Sequence, residues 1–159
     1  MDMGRGVTIK QHDRHDCGAA CLASVARYYG IVLPLSYFKN VCGTNHIEGT
    51  TIKGIIDGAL SINLEATAFK TSHQPCFSYE VLSKIPLPSI LHFQKSDGWL
   101  HFVVLYKVTK RSLTIMDPSE GELKKISYQD LKDLWSGYIV TFSQSSPFSD
   151  KTTKDNGLS

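Results

Sequence analysis

The chain has 159 residues, 17 Lys+Arg against 15 Asp+Glu for a formal net charge of +2, and is 42% hydrophobic and 20% charged. That length suits one domain of the usual size, roughly 150 residues, and the apolar fraction excludes general disorder. The near-neutral charge with no Lys/Arg cluster gives no footprint for nucleic acid, no segment approaches the ~20 apolar residues of a membrane span, and Met1 to Lys10 lacks the apolar run of a secretory signal, so a soluble domain is expected.

In chain order, Asp16 to Tyr29 carries Cys21, Leu22, Val25, Ala26 and Tyr29 at helical spacing, with Asp16 placed to cap and Gly30 to stop the helix. The helix therefore begins at or beside Cys17. A second helix is expected after Pro34, with Leu35, Phe38 and Val41 on one face, and a third after Gly49, capped by Thr50 or Thr51. Leu64 to Lys70 alternates like a strand, and Val81 to Ile85 reads as a short helix ended by Pro86. Strands follow at Pro88 to Phe93, His101 to Val108 and Ser112 to Met116, then a capped helix at Ser127 to Trp135 and a closing strand at Gly137 to Phe142. Helices first and adjacent strands after argue for an α+β fold with an antiparallel sheet. From about Ser143 the chain is Ser, Thr, Lys, Asp and Gly, so residues 1–143 are taken as the folded domain and 144–159 as a polar linker or disordered tail.

Chemistry enters with Cys17. A thiol at a helix N-terminus faces unsatisfied N–H groups and the positive end of the macrodipole, which favour the thiolate nucleophile. Such a nucleophile needs a base, an orienter for that base and donors for the oxyanion. If the two strands form a hairpin through Lys110 and Arg111, His101 at the start of one lies beside Asp117 at the end of the other, as a base and its orienter must. Gln11, six residues before Cys17, supplies a side-chain amide that could join the Cys17 N–H in an oxyanion hole.

The segment QHDRHDCGAACLASVARYYG, followed by GTTIKGIIDGALSINLEATAF, PLPSILHF, HFVVLYKV and MDPSEGELKKISYQDLKDLWSGYIV, resembles the C39 peptidases. These are the papain-like cysteine peptidase domains of bacterial peptidase-containing ABC transporters. The resemblance runs from about Thr8 to Phe142 and rests on the order Gln and Cys at six-residue spacing, His-Phe-Val-Val, then Asp-Pro-Ser-x-Gly. It implies removal of leader peptides after a double-glycine motif from bacteriocin-like precursors, coupled to export at the cytoplasmic face of the inner membrane. Cys17 would be the nucleophile, His101 the base and later acid, Asp117 its orienter and Gln11 the oxyanion donor. Partners would be the precursor peptide and the transporter's transmembrane and ATPase domains. No metal or organic cofactor is implied for the cleavage, and ATP only for the ATPase domain. Trp99 and Leu100, beside His101, are candidates for lining the peptide cleft.

Rival readings are a non-catalytic leader-docking module, a different acyl transfer on the same fold, and a zinc site from His12, His15, Cys17 and Cys21. The intact set Gln11, Cys17, His101 and Asp117 argues against docking alone. Cys21 falls on the apolar stripe, which argues against zinc. The four cysteines are expected to be reduced thiols, and Cys42 and Cys76 receive no role.

Overall fold

The run CGAACLASVA, residues 17–26, consists mostly of small side chains, and every one of its residues is buried. Small side chains let neighbouring backbones approach closely, so this helix, α1 (Cys17–Tyr28), can be covered on all sides. It ends where Gly30 takes φ +88° and the N–H groups of Gly30 and Ile31 return to the carbonyls of Arg27 and Ala26. α2 (Leu35–Val41) and α3 (Ile52–Leu60) pack beside it, the latter capped by Thr51, whose hydroxyl accepts from Gly54 N at 2.9 Å. The structure, a computed structural model, describes residues 6–47, 49–71, 78–96, 98 and 100–144.

The strands β1 (Leu64–Lys70), β2 (Ser89–Gln94), β3 (Leu100–Val108), β4 (Leu113–Asp117), β5 (Glu122–Ile126) and β6 (Trp135–Gln144) form one antiparallel sheet in the order β1-β6-β2-β3-β4-β5. Both faces are covered. Phe102, Val104 and Tyr106 of β3 join the core under α1, while Val103 and Leu105 join a second core. That second core also holds Leu82 of α4 (Tyr79–Leu82) and Leu131 of α5 (Tyr128–Leu134). Two buried faces explain why FVVLY, residues 102–106, is apolar without interruption. The α+β expectation is met, with the helices placed on both sides of the sheet.

Several local readings differ in detail. The short helix starts at Tyr79 instead of Val81, because the Ser78 hydroxyl accepts from Val81 N at 3.3 Å and caps it earlier. β5 was not expected: ELKKI is an edge strand with only Ile126 buried, so it has no apolar alternation to read. The closing strand β6 is longer than Gly137 to Phe142 and inserts between β1 and β2. Apart from Gln144, the polar tail lies outside the described residues. Among those residues no helix is long and apolar enough to cross a membrane.

Gly54 sits where α3 meets the end of α2, and a Cβ there would collide with the Cys42 carbonyl oxygen, a backbone atom that cannot rotate away. Gly54→Ala is expected to cost about 1–3 kcal/mol through overpacking, read as a lower urea midpoint with an unchanged m-value.

Candidate active site

β3 and β4 form the expected hairpin, closed by Thr109 N donating to Ser112 O at 2.9 Å. Val104 pairs with Met116, and continuing that register sets Asp117 opposite Val103. His101 and Asp117 are thus diagonal neighbours on one face, within reach of each other. The His101 Nε2 lies 2.7 Å from Asp117 Oδ1. That carboxylate also accepts from Ser119 N at 3.0 Å and Ser119 Oγ at 2.7 Å, and Lys124 Nζ stands 3.4 Å from its other oxygen. Burial would raise the Asp117 carboxyl, but the His101 and Ser119 hydrogen bonds outweigh it and hold it well below the usual carboxylate range.

Cys17 opens α1 and is buried against this pair. The close fit depends on Gly18: a Cβ there would stand 2.6 Å from Thr50 Cβ and 3.2 Å from Phe102 Cδ2. With Nε2 committed to Asp117, the second ring nitrogen of His101 serves the side-chain hydrogen bond with Cys17. Burial pulls the His101 pKa down, yet the hydrogen bonds and negative charge of Asp117 and Cys17 prevail and push it up to about 8. The other two described thiols, Cys21 and Cys42, are buried in the core. Burial pushes Cys21 far up and Cys42 up to about 12, leaving both as packing groups.

The segment before Cys17 is organised by Asp16. Asp16 occupies the helix cap position, as expected, but its backbone is in the αR region and its side chain makes no cap bond. Its carboxylate instead accepts from His12 N at 3.2 Å and Asp13 N at 3.1 Å and meets Lys39 Nζ at 3.4 Å. These bonds gather residues 12–16 into a compact loop before α1. Gln11 N donates to Pro118 O at 2.9 Å, which ties this segment to the turn carrying Asp117. The Gln11 Nε2 donates to Asp13 O at 2.9 Å, and its buried Oε1 has no partner among the described residues. The amide is turned onto the local loop, and Gln11 is not among the residues lining the cleft.

Cys17 lies on the wall of a cleft of about 640 Å³, with Arg14, His15, Ile47, Thr50, Leu100 and Phe102 among its other walls. Leu100 on this wall is 56% exposed. Trp99 lies outside the described residues. His92 also lines the cleft, a role that its place in an apolar strand concealed. Its Nδ1 is 2.8 Å from Ser136 Oγ, and burial together with the charge of His101 lowers its pKa. The signal available for it was alternation: in SILHFQ, His92 is the half-buried position among buried neighbours. The zinc set His12, His15, Cys17 and Cys21 is not assembled. Among the described residues, the side chains gathered closely enough to share a metal ion are Asp13, His15 and His46, while Cys21 is sealed in the core.

Removing the Asp16 carboxylate strands two backbone donors in the segment before Cys17. Asp16→Ala is expected to cost about 1–3 kcal/mol in urea unfolding, and Asp16→Asn less, since an amide oxygen can still accept both N–H groups.

The Peptidase C39 family profile matches residues 5–147. The chain is 31% identical over 132 residues to the lactococcin-G-processing and transport ATP-binding protein LagD of Lactococcus lactis subsp. lactis, covering 83% of this chain and 18% of LagD. It is 32% identical over 131 residues to the pediocin PA-1 transport/processing ATP-binding protein PedD of Pediococcus acidilactici, covering 82% and 17% respectively. The chain thus spans less than a fifth of the length of these two relatives. Among solved structures, the peptidase domain of Streptococcus ComA superposes with a TM-score of 0.79 at 27% identity, covering 89% of this chain and 100% of that one. A double glycine motif protease from an AMS/PCAT transporter, in complex with its leader peptide, gives 0.76 at 27% identity, covering 89% and 94%. The helices packed on a six-stranded antiparallel sheet are those of the papain-like C39 peptidase domains, and this chain belongs to the Peptidase C39 family.

Proposed function

We propose that the chain is a cysteine endopeptidase domain that cuts leader peptides after a double-glycine motif. The observation that carries this reading is the hydrogen-bonded row Cys17, His101 and Asp117, whose Cys17 lies on the wall of an open cleft. The Cys17 thiolate attacks the carbonyl carbon of the second leader glycine. The oxyanion that forms is met by the Cys17 N–H at the start of α1 and, once its side chain turns from Asp13 O toward the cleft, by the Gln11 amide. His101, held through Nε2 by Asp117, passes its proton to the leaving amine, so the peptide bond breaks and a thioester to Cys17 remains. Water, deprotonated by the same ring, hydrolyses the thioester and restores the thiol. On this reading, selection for glycine comes from steric exclusion of larger side chains at the cleavage site. The cleavage itself uses no metal and no organic cofactor.

The biological setting is proposed from the relatives. LagD and PedD are named as processing and transport ATP-binding proteins, and the AMS/PCAT protease is described with a leader peptide. On this reading the substrate is a bacteriocin-like precursor, the partners are the transmembrane and ATPase domains of an ABC transporter, and the domain works at the cytoplasmic face of the bacterial inner membrane. Leu100, on the cleft wall, contacts the leader, and its sequence neighbour Trp99 is proposed for the same role.

Kinetics on a synthetic double-glycine leader tests the roles. Cys17→Ala is expected to reduce cleavage to background and His101→Ala to lower kcat/KM by roughly a thousandfold or more, because the two act as a unit. Asp117→Asn should cost less. Full activity in Cys17→Ala would overturn the mechanism.

The pH profile tests the geometry separately. His101 must carry a proton when the amine leaves, and its pKa is about 8, so kcat/KM is expected to fall as pH rises through that value. Asp117 supports the protonated ring, so in Asp117→Asn this alkaline limb should move to lower pH. A limb that stays in place would deny Asp117 its role.

A further inference from the structure

Beside the cleft, on its solvent side, stands a group of side chains that the peptidase chemistry does not use. Asp13, His15 and His46 each offer one ligand atom, all within 4.8 Å of one another. His15 Nδ1 lies 3.3 Å from Asp13 Oδ1, and the His15 and His46 rings meet edge to face at 5.8 Å. Asp13 and His46 are exposed and His15 half-buried, so the group is open to ions from solvent.

The two backbone segments that carry these residues are already fixed. On one side, Asp13 Oδ1 accepts from His15 N at 2.8 Å, Asp16 N donates to Asp13 O at 3.0 Å, and the buried Asp16 carboxylate holds the N–H groups of His12 and Asp13. On the other, Asn45 and Gly49 exchange backbone hydrogen bonds at 3.2 and 2.9 Å, and Ile47 N donates to Asn45 Oδ1 at 2.8 Å. The turn that presents His46 is therefore closed without help. Small side-chain rotations then suffice to converge two imidazoles and one carboxylate on a common centre.

We propose that Asp13, His15 and His46 form a binding site for a borderline divalent transition-metal ion, with Zn²⁺ the natural occupant, at the mouth of the peptide cleft. Two imidazole nitrogens and one carboxylate oxygen make a donor set suited to Zn²⁺ or Co²⁺, while Mg²⁺ and Ca²⁺ prefer all-oxygen shells. Three protein ligands leave at least one coordination position for water. His15 lines the cleft with Cys17, and Ile47, the neighbour of His46, lines it too. A bound ion therefore staples the segment leading into Cys17 to the Asn45–Gly49 turn, two parts of one cleft wall. The site is separate from the peptide-bond chemistry and does not depend on that reading.

The test is a Co²⁺ and Zn²⁺ titration of the chain carrying Cys17→Ala, which removes the thiol on the cleft wall. One equivalent of Co²⁺ is expected to bind with visible d–d absorption and no thiolate charge-transfer band, and Zn²⁺ to displace it and raise Tm, while Mg²⁺ does neither. His46→Ala, on an exposed turn, and His15→Ala should each weaken Co²⁺ binding at least about tenfold, since even supporting residues of metal sites cost that much. His12→Ala, outside the group, should leave affinity unchanged. Absence of stoichiometric binding, or binding that survives His46→Ala, would overturn the proposal, as would greater dependence on His12 than on His46.

Discussion

The closeness with which α1 seats on β3 governs everything else in the molecule. Its first ten residues are buried, and at Gly18 the helix passes so near Thr50 and Phe102 that no side chain fits between them. That contact fixes where the helix begins, and the helix beginning carries Cys17. A buried network holds the same seat from the other end of the helix. The Ser24 hydroxyl meets Tyr106 of β3 at 2.5 Å and the Val7 carbonyl at 2.6 Å. The thiol is thus placed by packing, and it meets a histidine placed by strand register.

The His101–Asp117 pair illustrates how a buried charge is made tolerable. A carboxylate taken from water is costly unless its remaining lone pairs are satisfied. Ser119 satisfies them with both its backbone N–H and its hydroxyl, and Lys124 adds an opposite charge at the solvent side. The Asp-Pro-Ser-Glu-Gly turn is therefore more than a connection. Its backbone closes on the Asp117 carbonyl, through Glu120 N at 3.1 Å and Gly121 N at 2.8 Å, and its Ser119 side chain orients the carboxylate. Turn opener and histidine partner are one residue using two sets of atoms. The same economy holds for Asp16, whose helix-start position and loop-anchoring carboxylate are separate functions of one side chain.

Much of this was legible because each strong signal was local. Cys17 at a helix start, the hairpin through Lys110 and Arg111, and the caps at Thr51 and Ser127 follow from spacing and turn chemistry, and the structure places them accordingly. What escaped was non-local or unpatterned. β5 has a single buried residue, so its place was set by pairing with β4 and not by its own alternation. The insertion of β6 between β1 and β2 is a property of the whole sheet that no window of sequence contains. His92 looked like another strand residue because its function, facing the cleft, depends on Ser136 and Phe102 from elsewhere in the chain. The gathering of His15 with His46, and not with Cys21, likewise depends on how the Asn45–Gly49 turn folds back.

The central claim is that Cys17 is the nucleophile of a site selective for glycine. A leader peptide ending in Gly-Gly with a C-terminal chloromethyl ketone measures both parts together, since it alkylates only a nucleophile that it reaches as a substrate would. The account predicts a one-to-one adduct, mapped by mass spectrometry to Cys17, that forms far faster than with a leader ending in two bulkier residues. Labelling of Cys42 or a non-cysteine residue in place of Cys17, or equal rates for the two leaders, would contradict it.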